Sequence, residues 1–198
     1  MRFAIANRKV EVKMSLRVIG GSAKGRRLSS VPGDTTRPIT DRVKEALFNI
    51  IGTDVMDSAW WDMFAGTGAV GIEALSRGAA FVRFTELNRA PIDIIKANLA
   101  VCGLDRRAEV RRADALASLA SAPDKPFHYV YIAPPQFHDL WSQALAALDQ
   151  QVGWLTDDGW AIVQIAPKEL RDLALRNLAE FDRRKYGSTL LVFYHRAA

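Results

Sequence analysis

The sequence predicts an α/β protein in which a mainly parallel sheet carries helices on both faces, behind a basic N-terminal hairpin and helix. Three observations lead to it. From Ser58 onward, short runs of β-branched and aromatic residues alternate with helical periods, and such alternation builds a parallel sheet with crossover helices on either side. Gly66, Gly68 and Gly71 punctuate the first strand-to-helix turn, where a backbone without side chains can bend sharply. Charge is segregated: residues 1–49 hold 11 Lys/Arg against 4 Asp/Glu, and the remaining residues hold 16 against 18.

The elements follow in order. RVIGG and RRLSSV read as two short strands around SAKG, with Lys24, Arg26 and Arg27 at or just after the tip. PGDTTRP is a loop. Thr40 caps a helix running through Ile51, with Val43, Leu47, Ile50 and Ile51 on one face and Gly52 at its end. That apolar face needs a partner, so the segment packs rather than floats. AWWDMF is then a strand, with Trp60 and Trp61 in the core, and AVGIEALSRG is the helix after the glycine turn. AFVRFTEL is a strand, APIDIIKANLAVCG a helix closed by Gly103, and AEVRRAD, HYVYIA and GWAIVQIA three further strands. DLWSQALAALDQQVGWL is a helix between the last two strands, and KELRDLALRNLAEF follows them. DRRKYGSTLLVFYH forms two strands joined at Gly187-Ser188. The chain divides into a basic extension, residues 1–57, and a core, residues 58–198.

Composition narrows the class. The 198 residues are 49% hydrophobic and 25% charged, as in ordinary globular chains. The single cysteine, Cys102, cannot form an internal disulfide, and no Cys/His cluster has metal-ligand spacing. No apolar run is long enough for a membrane span, and the start lacks the apolar centre of a signal peptide. A cytoplasmic protein is expected. The localised basic excess suits a phosphate backbone, whose neutralisation releases counterions; the competing reading is a solvated arm.

Gly66, Gly68 and Gly71 form G-x-G-x-x-G between a strand and a helix, and Glu86 lies 20 residues beyond Gly66, at the end of the next strand. Such a turn lets a ligand approach the backbone, and such an acid can accept hydrogen bonds from ribose hydroxyls. An adenosine-type ligand is expected, and the glycine pattern suits NAD(P) as well as S-adenosylmethionine. Asp114, just after the third strand, can accept from an adenine amino group or cap a helix. Ala133-Pro134-Pro135-Gln136-Phe137, at the end of the fourth strand, separates the ligands. Its prolines fix an extended loop and leave carbonyls without competing N–H groups. An enzyme methylating an amino group needs such acceptors; a hydride-transfer enzyme has no evident need of them. His138 reads as a helix-start or surface residue rather than a base.

These segments resemble the bacterial small-subunit (16S) ribosomal RNA guanine-N2 methyltransferases. The likeness rests on RVIGGSAKGRRL, TRPITDRVKEALFNIIG, DMFAGTGAVGIEALSRGA, TELNRAPIDIIKANL and the APPQF loop, and runs from about Arg17 to the C-terminus. It implies a seven-stranded, Rossmann-like S-adenosylmethionine-dependent methyltransferase fold with an antiparallel strand near one edge. It further implies that Phe64, Ala65, Gly66, Thr67 and Gly68 wrap the methionine end of the cofactor. Glu86 would hold the ribose, and Asp114 with Ala115 would meet the adenine. The hairpin with Lys24, Arg26 and Arg27, and the segment from Arg37 to Arg42, would face ribosomal RNA, within a 30S subunit or an assembly intermediate. A monomer is expected.

Ala133, Pro134, Pro135, Gln136 and Phe137 would form the catalytic loop, with one departure. Related loops begin with Asp or Asn and follow the prolines with an aromatic residue, whereas Ala133 and Gln136 stand there in this chain. The backbone carbonyls of Ala133 and Pro134 then remain as acceptors, and Phe137, one position late, as a stacking surface. A catalytically weak relative and an NAD(P)-linked oxidoreductase are the alternatives, with DNA a minor alternative substrate.

Overall fold

The structure, a computed structural model, describes residues 16–30 and 39–197. Its seven strands are β1 (Ala59–Asp62), β2 (Phe81–Glu86), β3 (Ala108–Arg112), β4 (Phe127–Ile132), β5 (Leu155–Ile165), β6 (Leu178–Tyr186) and β7 (Thr189–Arg196). They form one sheet in the order β3-β2-β1-β4-β5-β7-β6. β1 to β5 pair in parallel, and β7 runs antiparallel between β5 and β6. This is the expected seven-stranded, Rossmann-like arrangement, with the antiparallel strand next to one edge. The helices are α1 (Asp41–Ile51), α2 (Ala69–Ser76), α3 (Arg89–Cys102), α4 (Ala115–Leu119) and α5 (Leu140–Gln150).

Successive strand residues point to opposite faces, so the sheet sorts its side chains into two cores. Trp60, Tyr129, Tyr131 and Ile162 join the core under α1, α2 and α3. Trp61, Val130, Ile132 and Val163 join the one under α4 and α5. Both tryptophans are buried, and each indole N–H has an acceptor, Ser58 Oγ for Trp60 and Thr85 Oγ1 for Trp61, both at 2.8 Å. That satisfies the polar handle a buried Trp carries.

The N-terminal segment belongs to the first core. Leu16, Val18, Ala23 and Leu28 are buried there with Val43, Leu47, Phe48 and Ile51 of α1. The expected hairpin is reduced to a single antiparallel bridge, Arg17 with Arg27. Val18 N, Gly25 N and Leu28 N still donate across it, to Arg26 O, Val18 O and Leu16 O, but other donors are drawn elsewhere: Ile19 N and Gly20 N donate to the Glu73 carboxylate at 2.9 and 2.7 Å. Ser22 N donates to Ser76 O, and Ala23 N to Ser76 Oγ. Glu73, inside α2, is fully buried together with Lys44 of α1, whose ammonium lies 3.3 Å from the carboxylate. Lys44 also donates to Arg17 O at 2.5 Å. Burial lowers the Lys44 pKa, and Glu73 opposes that shift.

α1 starts where expected. Thr40 Oγ1 accepts from Val43 N at 3.4 Å, and Gly52 ends the helix with φ 65°. After β5 the chain makes one 3-10 turn, Pro167–Glu169, and then no regular helix before β6. Leu170, Leu173 and Leu175 pack there against the second core. The buried Asp149 carboxylate collects the N–H groups of Arg176, Asn177 and Leu178, which sets the start of β6.

Candidate functional site

The strand order reverses between β1 and β4, so the loops leaving these two strands flank the crevice where open α/β sheets bind ligands. The glycine turn leaves β1, and the APPQF loop leaves β4.

Each glycine of the turn has its own task. Gly66 has φ 52°, and a Cβ placed on it would meet nothing within 4 Å, so its backbone faces open space. Gly68, at φ 77°, is the left-handed N-cap of α2, where a Cβ would come within 3.3 Å of Ile72 and Ile95. Gly71 allows close packing, since a Cβ there would lie 2.3 Å from the Phe84 ring. Ala65 N donates to Thr85 O at 3.0 Å. Glu86 accepts from Gly66 N at 3.1 Å and from Asn88 N at 2.9 Å, tying the turn to the end of β2. Its carboxylate, with two oxygens and about four lone-pair sites, retains acceptor capacity toward a ligand. Phe64 and Thr67 are half-buried, and Ala65 and Ala115 are buried.

Asp114 is the N-cap of α4, its Oδ1 accepting from Ala117 N at 2.9 Å. The capping role is therefore present, and Asp114 stays exposed beside the buried Ala115.

Beneath the turn, Asp62 Oδ2 accepts from Gly71 N at 3.2 Å. Burial pushes its pKa up from 3.8 to about 7, against the Gly71 hydrogen bond and with a smaller push from the Glu86 charge. The folded state therefore holds this proton more tightly than the unfolded chain does. The resulting stabilisation is full below about pH 4 and is lost as pH rises through about 7. Urea titrations of wild type and Asp62→Asn across that window should show wild type losing a few kcal/mol relative to the variant. Parallel curves would mean that Asp62 is ionised throughout.

The β4 loop passes from half-buried Ala133 and buried Pro134 to exposed Pro135, Gln136 and Phe137. Phe137 is 71% exposed with φ 64°, a costly conformation for a large side chain. Glu169 holds it: Oε1 accepts from Phe137 N at 2.7 Å, and Oε2 accepts from Ala166 N at 2.9 Å. Arg171 pairs with Asp139 at 2.6 Å where the loop enters α5. His138 is exposed and makes no hydrogen bond among the described residues.

Lys24, Arg26, Arg27 and Arg42 are exposed and form no ion pair among the described residues, whereas neighbouring Arg17 pairs with Asp41 at 2.8 Å. Arg37, the PGDTTRP loop and the first 15 residues lie outside the described residues. Among those described, no group of His, Cys, Asp and Glu could hold a metal ion, and no helix is long and apolar enough to cross a membrane.

Sequence reasoning missed Asn98, Glu73, Lys44 and Glu169. Buried Asn98 of α3 donates to Thr67 O at 3.0 Å and to Ser29 O at 3.1 Å, and accepts from Ser29 N at 2.8 Å. One amide thus joins the glycine turn to the N-terminal segment. The available signal was a polar residue in an apolar helical period: Asn98 beside Ile95 and Leu99, Lys44 beside Val43 and Leu47, Glu73 within AVGIEALS.

Known proteins share this architecture. YlbH of Bacillus subtilis (strain 168), provisionally named an rRNA methyltransferase, is 35% identical over 186 residues, 90% of this chain and 98% of that one. The ribosomal RNA small subunit methyltransferase D of Escherichia coli (strain K12) is 36% identical over 149 residues, 75% of this chain and 74% of that one. The solved structure of yhhF from Escherichia coli, provisionally named a methyltransferase, superimposes with a TM-score of 0.82 at 32% identity, covering 92% of this chain and 98% of that one. The model of the family described as Conserved hypothetical protein 95 matches residues 16–195. The chain belongs to that family, alongside the ribosomal RNA small subunit methyltransferases D.

Proposed function

We propose that this protein is an S-adenosylmethionine-dependent methyltransferase that methylates the exocyclic N2 of a guanine in 16S ribosomal RNA, presented in a 30S subunit or its precursor. The observation that carries the reading is the pairing, across the strand-order reversal, of an open glycine cradle with a proline-fixed loop. The names of the family relatives support ribosomal RNA as the substrate class.

The residues present fit the cofactor. The space at Gly66, which a side chain would fill, admits the methionine end between Phe64 and Gly68. Glu86, at the end of β2, would hold the ribose, and Asp114 with Ala115, at the start of α4, would meet the adenine. When bound, the cofactor supplies an electrophilic methyl group on a sulfonium. The protein's work is then alignment and exclusion of water rather than strong base chemistry. The carbonyls of Ala133 and Pro134 accept the two amino hydrogens, favouring a pyramidal nitrogen with its lone pair toward the methyl group. Phe137 offers a ring for the base to stack on. Lys24, Arg26, Arg27, Arg37 and Arg42 bind RNA phosphates.

Because Ala133 brings no side-chain acceptor, a second reading, a cofactor- and RNA-binding relative with weak turnover, has a specific basis. Single-turnover assays with labelled cofactor on 30S subunits lacking the modification separate the two. Wild type should label guanine N2 in 16S RNA, and Ala133→Asn should change the rate by no more than about tenfold, or about 1.4 kcal/mol. A silent wild type rescued several hundredfold by Asn would establish the second reading.

A further inference from the structure

Asn98 of α3 is 1% exposed, and its amide touches both proposed binding segments at once. Nδ2 donates to Thr67 O at 3.0 Å and to Ser29 O at 3.1 Å, while Oδ1 accepts from Ser29 N at 2.8 Å. Thr67 lies between Gly66, whose backbone faces open space, and Gly68, which caps α2. Ser29 lies two residues beyond Arg27 in the basic segment.

The amide has one workable orientation. Both of its N–H groups go to carbonyls, and a flipped amide would set its oxygen against those same two oxygens. The group is planar, so its bonds turn together, and a shift of Thr67 O changes the geometry at Ser29. With water excluded, a bond lost at either end is not replaced, which favours the arrangement that keeps all three. α3 also runs close to the cations. Burial raises the pKa of the Cys102 thiol and the Arg26 charge opposes that shift, so this guanidinium is near the last turn of the helix. Packing ties α3 to the turn as well, since a Cβ on Gly68 would come within 3.3 Å of Ile95. By contrast, Ser22 and Ala23 bind Ser76, at the end of α2 away from the turn.

We propose that Asn98 is a positioning residue that couples cofactor binding at the glycine turn to RNA binding by the segment from Lys24 to Arg27. The inference rests on the RNA-methyltransferase reading. A cofactor seated at Gly66 fixes the Thr67 carbonyl, the amide carries that constraint to Ser29, and the cations before Ser29 are held ready for phosphate. The ordering done by one ligand need not be repeated by the other, so each raises the affinity of the other by the same factor. RNA is then held best by the loaded protein, and an empty protein does not block its own substrate.

Calorimetric affinity for S-adenosylhomocysteine, measured on the full chain with and without saturating transcribed 16S RNA, gives the coupling factor. Wild type should show a factor of about five or more. Asn98→Ala should bring it below about twofold while the salt slope of RNA binding stays at the wild-type value, because the cations remain. A merely structural Asn98 would lower stability and leave the ratio intact, so equal factors in the two proteins overturn the inference, as does a wild-type factor near one. The wild type also decides by itself, even where the variant fails to fold. Saturating S-adenosylhomocysteine should slow exchange of the Ser29 N–H by fivefold or more beyond any slowing of the Asn177 N–H, which Asp149 of α5 holds. Equal slowing at both amides would be global stabilisation and overturns the coupling. Failure to bind S-adenosylhomocysteine or RNA at all overturns the methyltransferase reading and the inference with it, whereas binding of both without coupling overturns the inference alone.

Discussion

Replacing Glu73 with Ala should lower the unfolding free energy by about 3–5 kcal/mol, the range for breaking a buried ion pair by removing one partner. Four groups converge on this carboxylate: Ile19 N, Gly20 N, Arg77 Nε at 2.8 Å and the Lys44 ammonium at 3.3 Å. Lys44 and Glu73 have fully buried side chains. Removing the acid leaves the ammonium dry and two backbone donors without an acceptor, each of which carries its own desolvation cost. The pair itself is replaceable, so Lys44→Met combined with Glu73→Leu should recover much of the loss through apolar packing. Equilibrium urea unfolding of the single and double variants measures both effects. A single-variant loss under about 1 kcal/mol would mean that water reaches Lys44 and the Ile19–Gly20 backbone.

Gly66→Val should weaken binding of S-adenosylhomocysteine by a hundredfold or more, about 2.7 kcal/mol. Two effects act together. A β-branched residue resists φ 52°, and its side chain would project into the space that the backbone leaves open. Because that space holds no protein atoms within 4 Å, the variant should still fold. Gly71→Ala makes the contrast: its Cβ would collide with Phe84 at 2.3 Å, so its cost falls on stability. Calorimetry beside thermal melting distinguishes the two glycines. Unchanged affinity in Gly66→Val would place the ligand elsewhere.

The core of the fold was legible because its signals are local. Strands buried on both faces read as near-continuous apolar runs between helical periods, and Gly187-Ser188 marks the turn between the last two strands. Gly66, Gly68 and Gly71 announce the turn through their own backbone needs. The connections of the site were not legible, since they depend on partners far along the chain. Glu73 binds backbone 53 and 54 residues away, Asn98 binds Ser29 69 residues away, and Glu169 reaches Phe137 from 32 residues away. The same long-range bonds reduce the expected hairpin, because Ile19, Gly20, Ser22 and Ala23 donate to α2 rather than across a ladder.

The placement of β7 bears on how the chain is made. β7 is the last strand in sequence, yet it lies between β5 and β6 rather than at the rim. During synthesis β5 therefore waits with a bare edge until Thr189–Arg196 has emerged, and β6 has no strand to pair with until then. A ribosome adding about 5–20 residues per second needs roughly 1.5 to 6 seconds to travel from the end of β5 to the end of β7. A stall or stop codon in that interval does more than trim the sheet. It leaves the apolar run of β5 as an unpaired edge, the kind of surface that recruits other chains. The β6–β7 hairpin is thus what closes the bare edge of β5.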